Sequence, residues 1–103
     1  MPHDTLFEVT TPLGIRVRTT ESYWILIRRK HPEVEEKLDL VQETLAQPVM
    51  IRKSQEDPKV FLFYKPYVQY WICAVIKSLN EEGFIVTAYL TDKIKEGEPV
   101  WPR

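Results

Sequence analysis

Tyr70-Trp71-Ile72-Cys73-Ala74-Val75-Ile76-Lys77 is apolar at odd and even positions alike through its interior. Successive side chains of a strand point to opposite faces, so such a strand has no face it can leave in water. It has to be a central strand covered on both sides, and the rest of the chain has to supply the cover. Its neighbours are suited to that. Val60-Phe61-Leu62-Phe63-Tyr64-Lys65 and Phe84-Ile85-Val86-Thr87-Ala88-Tyr89-Leu90-Thr91 are strand-length and rich in aromatic and β-branched residues. The connections, Pro66 to Gln69 and Ser78 to Gly83, are hairpin-sized, which makes an antiparallel meander the economical topology.

The 103 residues suffice for one modest core. The hydrophobic content of 44% and charged content of 28% are those of an ordinary globular protein. One cysteine, Cys73, excludes an internal disulfide and a multi-thiolate metal site, and its apolar surroundings predict a buried small hydrophobe. No stretch approaches the ~20 apolar residues of a membrane span, and no basic-then-apolar leader opens the chain. A cytoplasmic location without membrane association is the expectation.

Upstream, Leu6 to Val9 and Ile15 to Arg18 flank Thr11-Pro12-Leu13-Gly14, a turn-forming set that allows a short N-terminal hairpin. Thr19 to Ser22 offers caps for a helix ending near His31, because Pro32 disfavours helical geometry in the residue before it. A second helix is expected from Glu33 or Val34 to Gln47, with Val34, Leu38, Val41 and Leu45 on one face. Val49 to Ser54 reads as a further strand. The tail from Asp92 to Arg103 reads as irregular, with a turn of helix near Lys93 to Glu96. The expected fold class is therefore α+β: two N-terminal helices packed on one face of a four-stranded antiparallel sheet, plus the short hairpin. One domain spans residues 1–103, with 1–5 and 92–103 peripheral. Strict alternation in the last long strand assigns Phe84, Val86, Ala88 and Leu90 to the helix bed. It turns Ile85, Thr87, Tyr89 and Thr91 to the other face.

The chemistry on offer is metal-free. Two histidines, one cysteine and scattered acids match no ligand spacing, and Gly14, Gly83 and Gly97 are too far apart for a phosphate loop. Arg, Lys, His, Thr and Tyr remain, residue types that can hold a phosphate, stabilise its developing charge and move a proton. His31 is the proton-transfer candidate. The net charge of −1 hides a segregation. Between Gly14 and His31, Arg16, Arg18, Arg28, Arg29 and Lys30 face one acid, Glu21, whereas Glu33 to Gln47 is acidic apart from Lys37. A basic edge beside a hydroxyl-bearing face suits a nucleic-acid backbone, and Tyr64, Tyr67, Tyr70 and Tyr89 would stack on bases if exposed. The opposing reading makes the charge runs solvated faces, with Arg52 and Lys53 as guards of a sheet edge.

Several stretches taken in order resemble the RelE-like nucleases of phages and bacteria, in the barnase–EndoU–colicin–RelE fold group. They are Val17-Arg18, Tyr23-Trp24, Lys30-His31-Pro32-Glu33, Ile51-Arg52-Lys53-Ser54, Phe61-Leu62-Phe63-Tyr64, and Gly83 to Thr91. The resemblance spans Val17 to Trp101. It implies two N-terminal helices followed by a four-stranded antiparallel sheet. It also implies a ribonuclease that needs no metal or cofactor, uses the RNA 2′-hydroxyl as nucleophile and leaves a cyclic phosphate. On the matching positions His31, Arg52, Thr87 and Tyr89 would be catalytic: His31 moves the proton, Arg52 holds the phosphate, and Thr87 and Tyr89 are polar site groups. Arg16, Arg18, Arg28, Arg29, Lys53, Ser54 and Tyr64 would bind RNA. An antitoxin or another protein would be the second partner. The competing expectations are a non-catalytic RNA- or protein-binding module of the same fold, and an interaction domain that associates through a sheet edge.

Overall fold

The computed structural model describes residues 5–95 and 97–102. Strands β1 (Thr5–Thr10) and β2 (Arg16–Thr20) precede α1 (Glu21–Lys30), a 3-10 turn at Pro32–Val34 and α2 (Leu38–Ala46). Then come β3 (Met50–Ser54), β4 (Val60–Tyr67), β5 (Tyr70–Leu79), β6 (Glu82–Thr91) and β7 (Gly97–Trp101). One sheet holds all seven in the order β1-β2-β6-β5-β4-β3-β7. β5 is the middle strand, as its two-sided apolar run requires, and Ile72, Cys73, Ala74 and Ile76 are fully buried.

The sheet corrects the expected four-stranded antiparallel architecture. β3 to β6 form the antiparallel meander, but the N-terminal hairpin joins the same sheet. Its second arm, β2, lies parallel to the first residues of β6, with Arg16 opposite Glu82 and Arg18 opposite Phe84. The tail, expected to be irregular and peripheral, adds β7 along β3 on the far edge. Strand periodicity shows which side chains share a face, not which strand lies alongside, so neither addition leaves a mark in the apolar pattern. Pro99 in β7 obscures that strand further, because proline lacks a ladder donor and is confined to edges. Of the helical turn expected near Lys93 to Glu96, Lys93 to Lys95 form none, and Glu96 lies outside the described residues.

The helices lie on one face. Thr20 caps α1 by accepting a bond from the Tyr23 N–H, and the backbone N–H of His31 closes the helix on the Ile27 carbonyl at 2.8 Å. Trp24 and Ile27 of α1, Val34, and Val41 and Leu45 of α2 are buried against Phe63, Ile72, Ala74, Ile76, Ile85 and Ala88. The second helix starts later than expected. Pro32 opens a 3-10 turn that buries Val34, and the Lys37 carbonyl accepts from Val41 to begin α2. Beyond the short β2 pairing, α1 and the 3-10 turn run along the free edge of β6. The Tyr23 hydroxyl donates to the Val86 carbonyl at 3.0 Å, and the Leu90 N–H points to the Glu33 carboxylate at 3.5 Å. Those groups would otherwise form an open strand edge.

A β-bulge in β6 re-aims the functional residues. Ile76 faces Ile85 and Val75 faces Thr87, leaving Val86 as the extra residue. The bulge reverses the phase of the alternation, which corrects the expected helix bed: Ile85 and Ala88 enter the helix-side core, while Phe84 is 40% exposed and Val86 packs on the other side. Thr87 and Tyr89 stay on the face without helices.

That second face is covered by the chain itself. From the end of β6 the backbone crosses β5, β4 and β3 to reach β7, and Ile94 packs on Leu62, Tyr64, Cys73 and Val75. The Lys95 N–H donates to the Tyr64 hydroxyl at 3.1 Å.

Candidate functional site

Strand register places two rows of side chains across the helix-free face. Arg52, Leu62, Val75 and Thr87 form one; Met50, Tyr64, Cys73 and Tyr89 form the other. Where the crossing segment leaves the sheet uncovered there is a cavity of about 350 Å³. Val60, Leu62 and Val75 make its apolar floor, Thr87 and Tyr89 one wall, and Ser54 the opposite side. Glu56, Asp57 and Lys95 stand at its lip. The turn carrying the lip acids is held by its own side chains: Ser54 Oγ accepts from the Glu56 N–H, and Asp57 accepts from the Lys59 N–H.

The wall holds two unspent hydroxyls. Thr87 Oγ1 and the Tyr89 hydroxyl are shielded from solvent, and neither has a hydrogen-bond partner. A buried polar group left unpaired costs about 1–3 kcal/mol, so such groups are uncommon unless something else satisfies them. The neighbouring row is kept neutral by burial. Burial pushes the Cys73 thiol up to about 11 and the Tyr64 phenol up to about 12, and it raises the Tyr89 phenol well above its ordinary range. All three therefore stay protonated at neutral pH.

His31 reaches this face from the end of α1. Its ring centroid lies 5.5 Å from that of Tyr89 at an interplanar angle of 40°, and its Nδ1 is 3.4 Å from Glu33 Oε2. Glu33 thus faces both the histidine and the edge of β6, which orients one ring nitrogen and leaves Nε2 free of that contact. A second hollow between α1 and β6 is lined by Tyr23, Leu26, Lys30 and Val86, and it shares Thr87 with the larger cavity.

Arg52 stands at the other end of the Thr87 row. Its Nη1 donates to the Gly97 carbonyl at 3.3 Å, its Nε is buried without a partner, and it forms no ion pair among the described residues. Gly97 lets β7 lie close on β3, since a Cβ there would lie 2.6 Å from the Lys53 carbonyl oxygen. Three strand spacings separate the Cα atoms of Arg52 and Thr87, about 14 Å. Neither His31 nor Arg52 lines the cavity. They flank it from opposite sides, so the four residues expected to be catalytic share a face without meeting at one point.

The expected binding residues divide. Ser54 lines the cavity. Tyr64 is fully buried and has no face to offer a base; Tyr70, 49% exposed, lies at the far hairpin. Arg16 and Arg18 both pair with Glu82, and Arg16 also approaches Glu8 at 3.8 Å. Lys53 pairs with Glu98 at 3.1 Å and alternates with Arg52, on the helix side of β3. Arg28 and Arg29 share a surface hollow with Ile25, Pro32 and Glu35, away from the Tyr23 and Lys30 side of α1. The basic edge read from the first part of the chain is therefore largely neutralised or turned elsewhere. Lys30, Glu33 and Lys95 are the additions to which the sequence reading gave no site role. Glu33 had a signal in its position two residues after His31; Lys95 had none, because its place depends on the crossing of the sheet.

Among the described residues no group of three or more His, Cys, Asp or Glu side chains is placed to hold a metal ion. No helix among them is long and apolar enough to cross a membrane. Comparison with protein-family models, with curated proteins and with solved structures yields no match to this chain.

Proposed function

We propose that the chain is a RelE-like, metal-independent endoribonuclease that works on the helix-free face of its sheet. One observation carries this: His31, with its Glu33 carboxylate, stacks beside Tyr89, and Tyr89 and Thr87 wall a cavity on the same face. The sequence resemblance adds the reaction class. In this scheme His31 takes the proton from a 2′-hydroxyl as its oxygen attacks the adjacent phosphorus. The P–O5′ bond breaks, the 5′-oxygen takes a proton from water, His31 returns its own to solvent, and a 2′,3′-cyclic phosphate remains. Thr87 and Tyr89 donate to the non-bridging oxygens, where charge accumulates, and Lys30 adds a positive charge from α1. Arg52, about 14 Å across the sheet, holds a neighbouring phosphate of the same strand rather than the reacting one.

The test is cleavage of varied single-stranded RNAs by purified protein in EDTA. His31→Ala lowers turnover roughly 100-fold or more. Arg52→Ala raises KM and leaves turnover near wild type. Unchanged cleavage by His31→Ala removes the proton-transfer role. The separation of Arg52 from Thr87 favours a second reading, an RNA-binding module without catalysis. Salt-sensitive RNA binding with no product from any substrate decides for it.

A further inference from the structure

We infer that the chain leaving β6, together with the first residues of β7, is an autoinhibitory strap that holds the site closed and parts from β3 to admit RNA. The inference rests on the ribonuclease reading for what the site accepts, and it adds how the site opens. Both halves of the proposed site are restrained by this one stretch. Tyr89 stands directly opposite Cys73, and Cys73 opposite Tyr64, in the row beneath the crossing. Ile94 packs on that row, and the Lys95 N–H donates to the Tyr64 hydroxyl at 3.1 Å. Thr87 Oγ1 and the Tyr89 hydroxyl are shielded from solvent, so no phosphate reaches them in this arrangement. On the far side of the sheet the Gly97 carbonyl accepts from Arg52 Nη1 at 3.3 Å, and Arg52 Nε is buried without a partner. The donors of that guanidinium are thus partly spent or shielded. Lifting Gly97 releases them in the same movement that uncovers the tyrosine.

Geometry makes β7 the point of release. Thr91 ends β6 and Gly97 opens β7, with β5, β4 and β3 between them. Four strand spacings amount to about 19 Å. The six residue steps from Thr91 to Gly97 reach about 20–22 Å even when fully extended. The crossing has no slack, so it does not rise while Gly97 stays on β3. β7 is weakest at that end. It is a sheet edge with β3 as its one neighbour, and Pro99 has no donor for the ladder. Before the proline, the ion pair tying β7 to β3 is Lys53–Glu98 at 3.1 Å, and the Glu98 side chain is 65% exposed. Exposed pairs of this kind contribute little. After the proline, Val100 and Trp101 pack at the margin of the helix-side core and form the anchor. Pro99 is therefore the hinge.

Cys73 is the single cysteine, fully buried in the row on which Ile94 packs, and it reports opening without any RNA. The full chain is reacted with a thiol reagent in a urea series held below the unfolding transition. Labelling is expected at a rate that low urea leaves nearly unchanged, because peeling the strap exposes far less surface than unfolding does. Ile94→Ala is expected to speed it by about tenfold or more, and Glu98→Lys, which sets like charges across β3 and β7, by about threefold. RNA cleavage should rise in the same order. The converse variant is a lock: in a Cys73→Ala background, Lys53→Cys and Glu98→Cys join positions that face each other on the two strands. Its oxidised form should bind and cleave RNA at least about tenfold less well, and reductant should restore both. Labelling that rises with urea as steeply as global unfolding overturns the strap, as does an oxidised lock that cleaves as fast as the reduced one while the ribonuclease reading stands. Labelling accelerated by Ile94→Ala and Glu98→Lys in a chain that cleaves no RNA keeps the strap and removes the ribonuclease reading.

Discussion

The two faces of β5 begin from the same apolar material and end in different surroundings. On the helix side, Ile72, Ala74 and Ile76 meet Trp24, Ile27, Val41 and Leu45, side chains without polar atoms apart from the indole. On the other side, Cys73 and Val75 meet two tyrosines, Leu62 and one crossing segment that leaves a cavity beside it. A helix covers its sheet with a continuous stripe, whereas a single extended crossing covers only what lies beneath it. The second face therefore combines burial, which raises the pKa values of its phenols and thiol, with a cavity beside them. The closed face is where stability is concentrated, and the half-closed face is where a ligand can still be met.

The largest expected effect tests whether the faces differ in packing. Phe63, fully buried under the helices, should cost about 3–5 kcal/mol on truncation to Ala in urea denaturation. Its strand neighbour Leu62 points to the cavity floor, and Leu62→Ala should cost near the lower end, about 2 kcal/mol. Equal costs would mean that the helix-free face is packed as tightly as the other. Next comes Gly97→Ala. The added Cβ meets the Lys53 carbonyl at 2.6 Å, a backbone atom that cannot move aside cheaply, so a loss of about 1–3 kcal/mol is expected. Amide exchange should quicken at the β3–β7 pairing and stay protected at β5–β6. Uniform quickening would show that β7 is integral to the whole sheet.

Alkali separates the faces without any substitution. The Cys73 thiol rises from an ordinary 9.0 to about 11 and the Tyr64 phenol from 10.0 to about 12, both chiefly through burial. Between the unfolded and folded values the unfolded chain binds fewer protons, so stability falls as pH rises. The melting temperature should hold steady below pH 9.0 and decline up to about 12. Cys73→Ala should remove the earlier part of the decline, up to about 11. A profile that Cys73→Ala leaves untouched would place the titration elsewhere.

The central strand was legible because an uninterrupted apolar run has few physical solutions. The first helix was legible in the same way, from the cap residues within Thr19 to Ser22 to the stop enforced by Pro32. The seven-stranded sheet was not. β2 reaches β6 and β7 reaches β3 across long separations in sequence, and pairing partners carry no periodic signature. The bulge at Val86 was hidden too, because Phe84 to Thr91 alternates regularly as a sequence and the extra residue exists only against β5. Thr87 and Tyr89 kept their expected face because they lie beyond the bulge, while Phe84 and Ile85 before it exchanged theirs. The charges misled for a related reason. Arg16 and Arg18 looked like a basic edge until the parallel pairing brought Glu82 beside them.

The smallest expected effect is the most discriminating. Thr87→Val replaces a hydroxyl that has no partner by a methyl of the same shape. Thr44, whose Oγ1 donates to the Leu40 carbonyl at 2.7 Å, is the internal control, because there the same exchange removes a hydrogen bond. Thr44→Val should cost about 1 kcal/mol, the usual net worth of one hydrogen bond, partly offset by the apolar gain. Thr87→Val should be neutral or stabilising by up to about 1 kcal/mol, since it relieves an unmet desolvation. The same substitution should weaken RNA binding, measured by fluorescence anisotropy, because it removes a donor from the cavity wall. Stability and affinity moving in opposite directions at Thr87, but not at Thr44, is the signature of a hydroxyl kept for a ligand. A loss of stability at Thr87 matching that at Thr44 would mean the hydroxyl already has a partner in solution, and the two faces would then differ in packing alone.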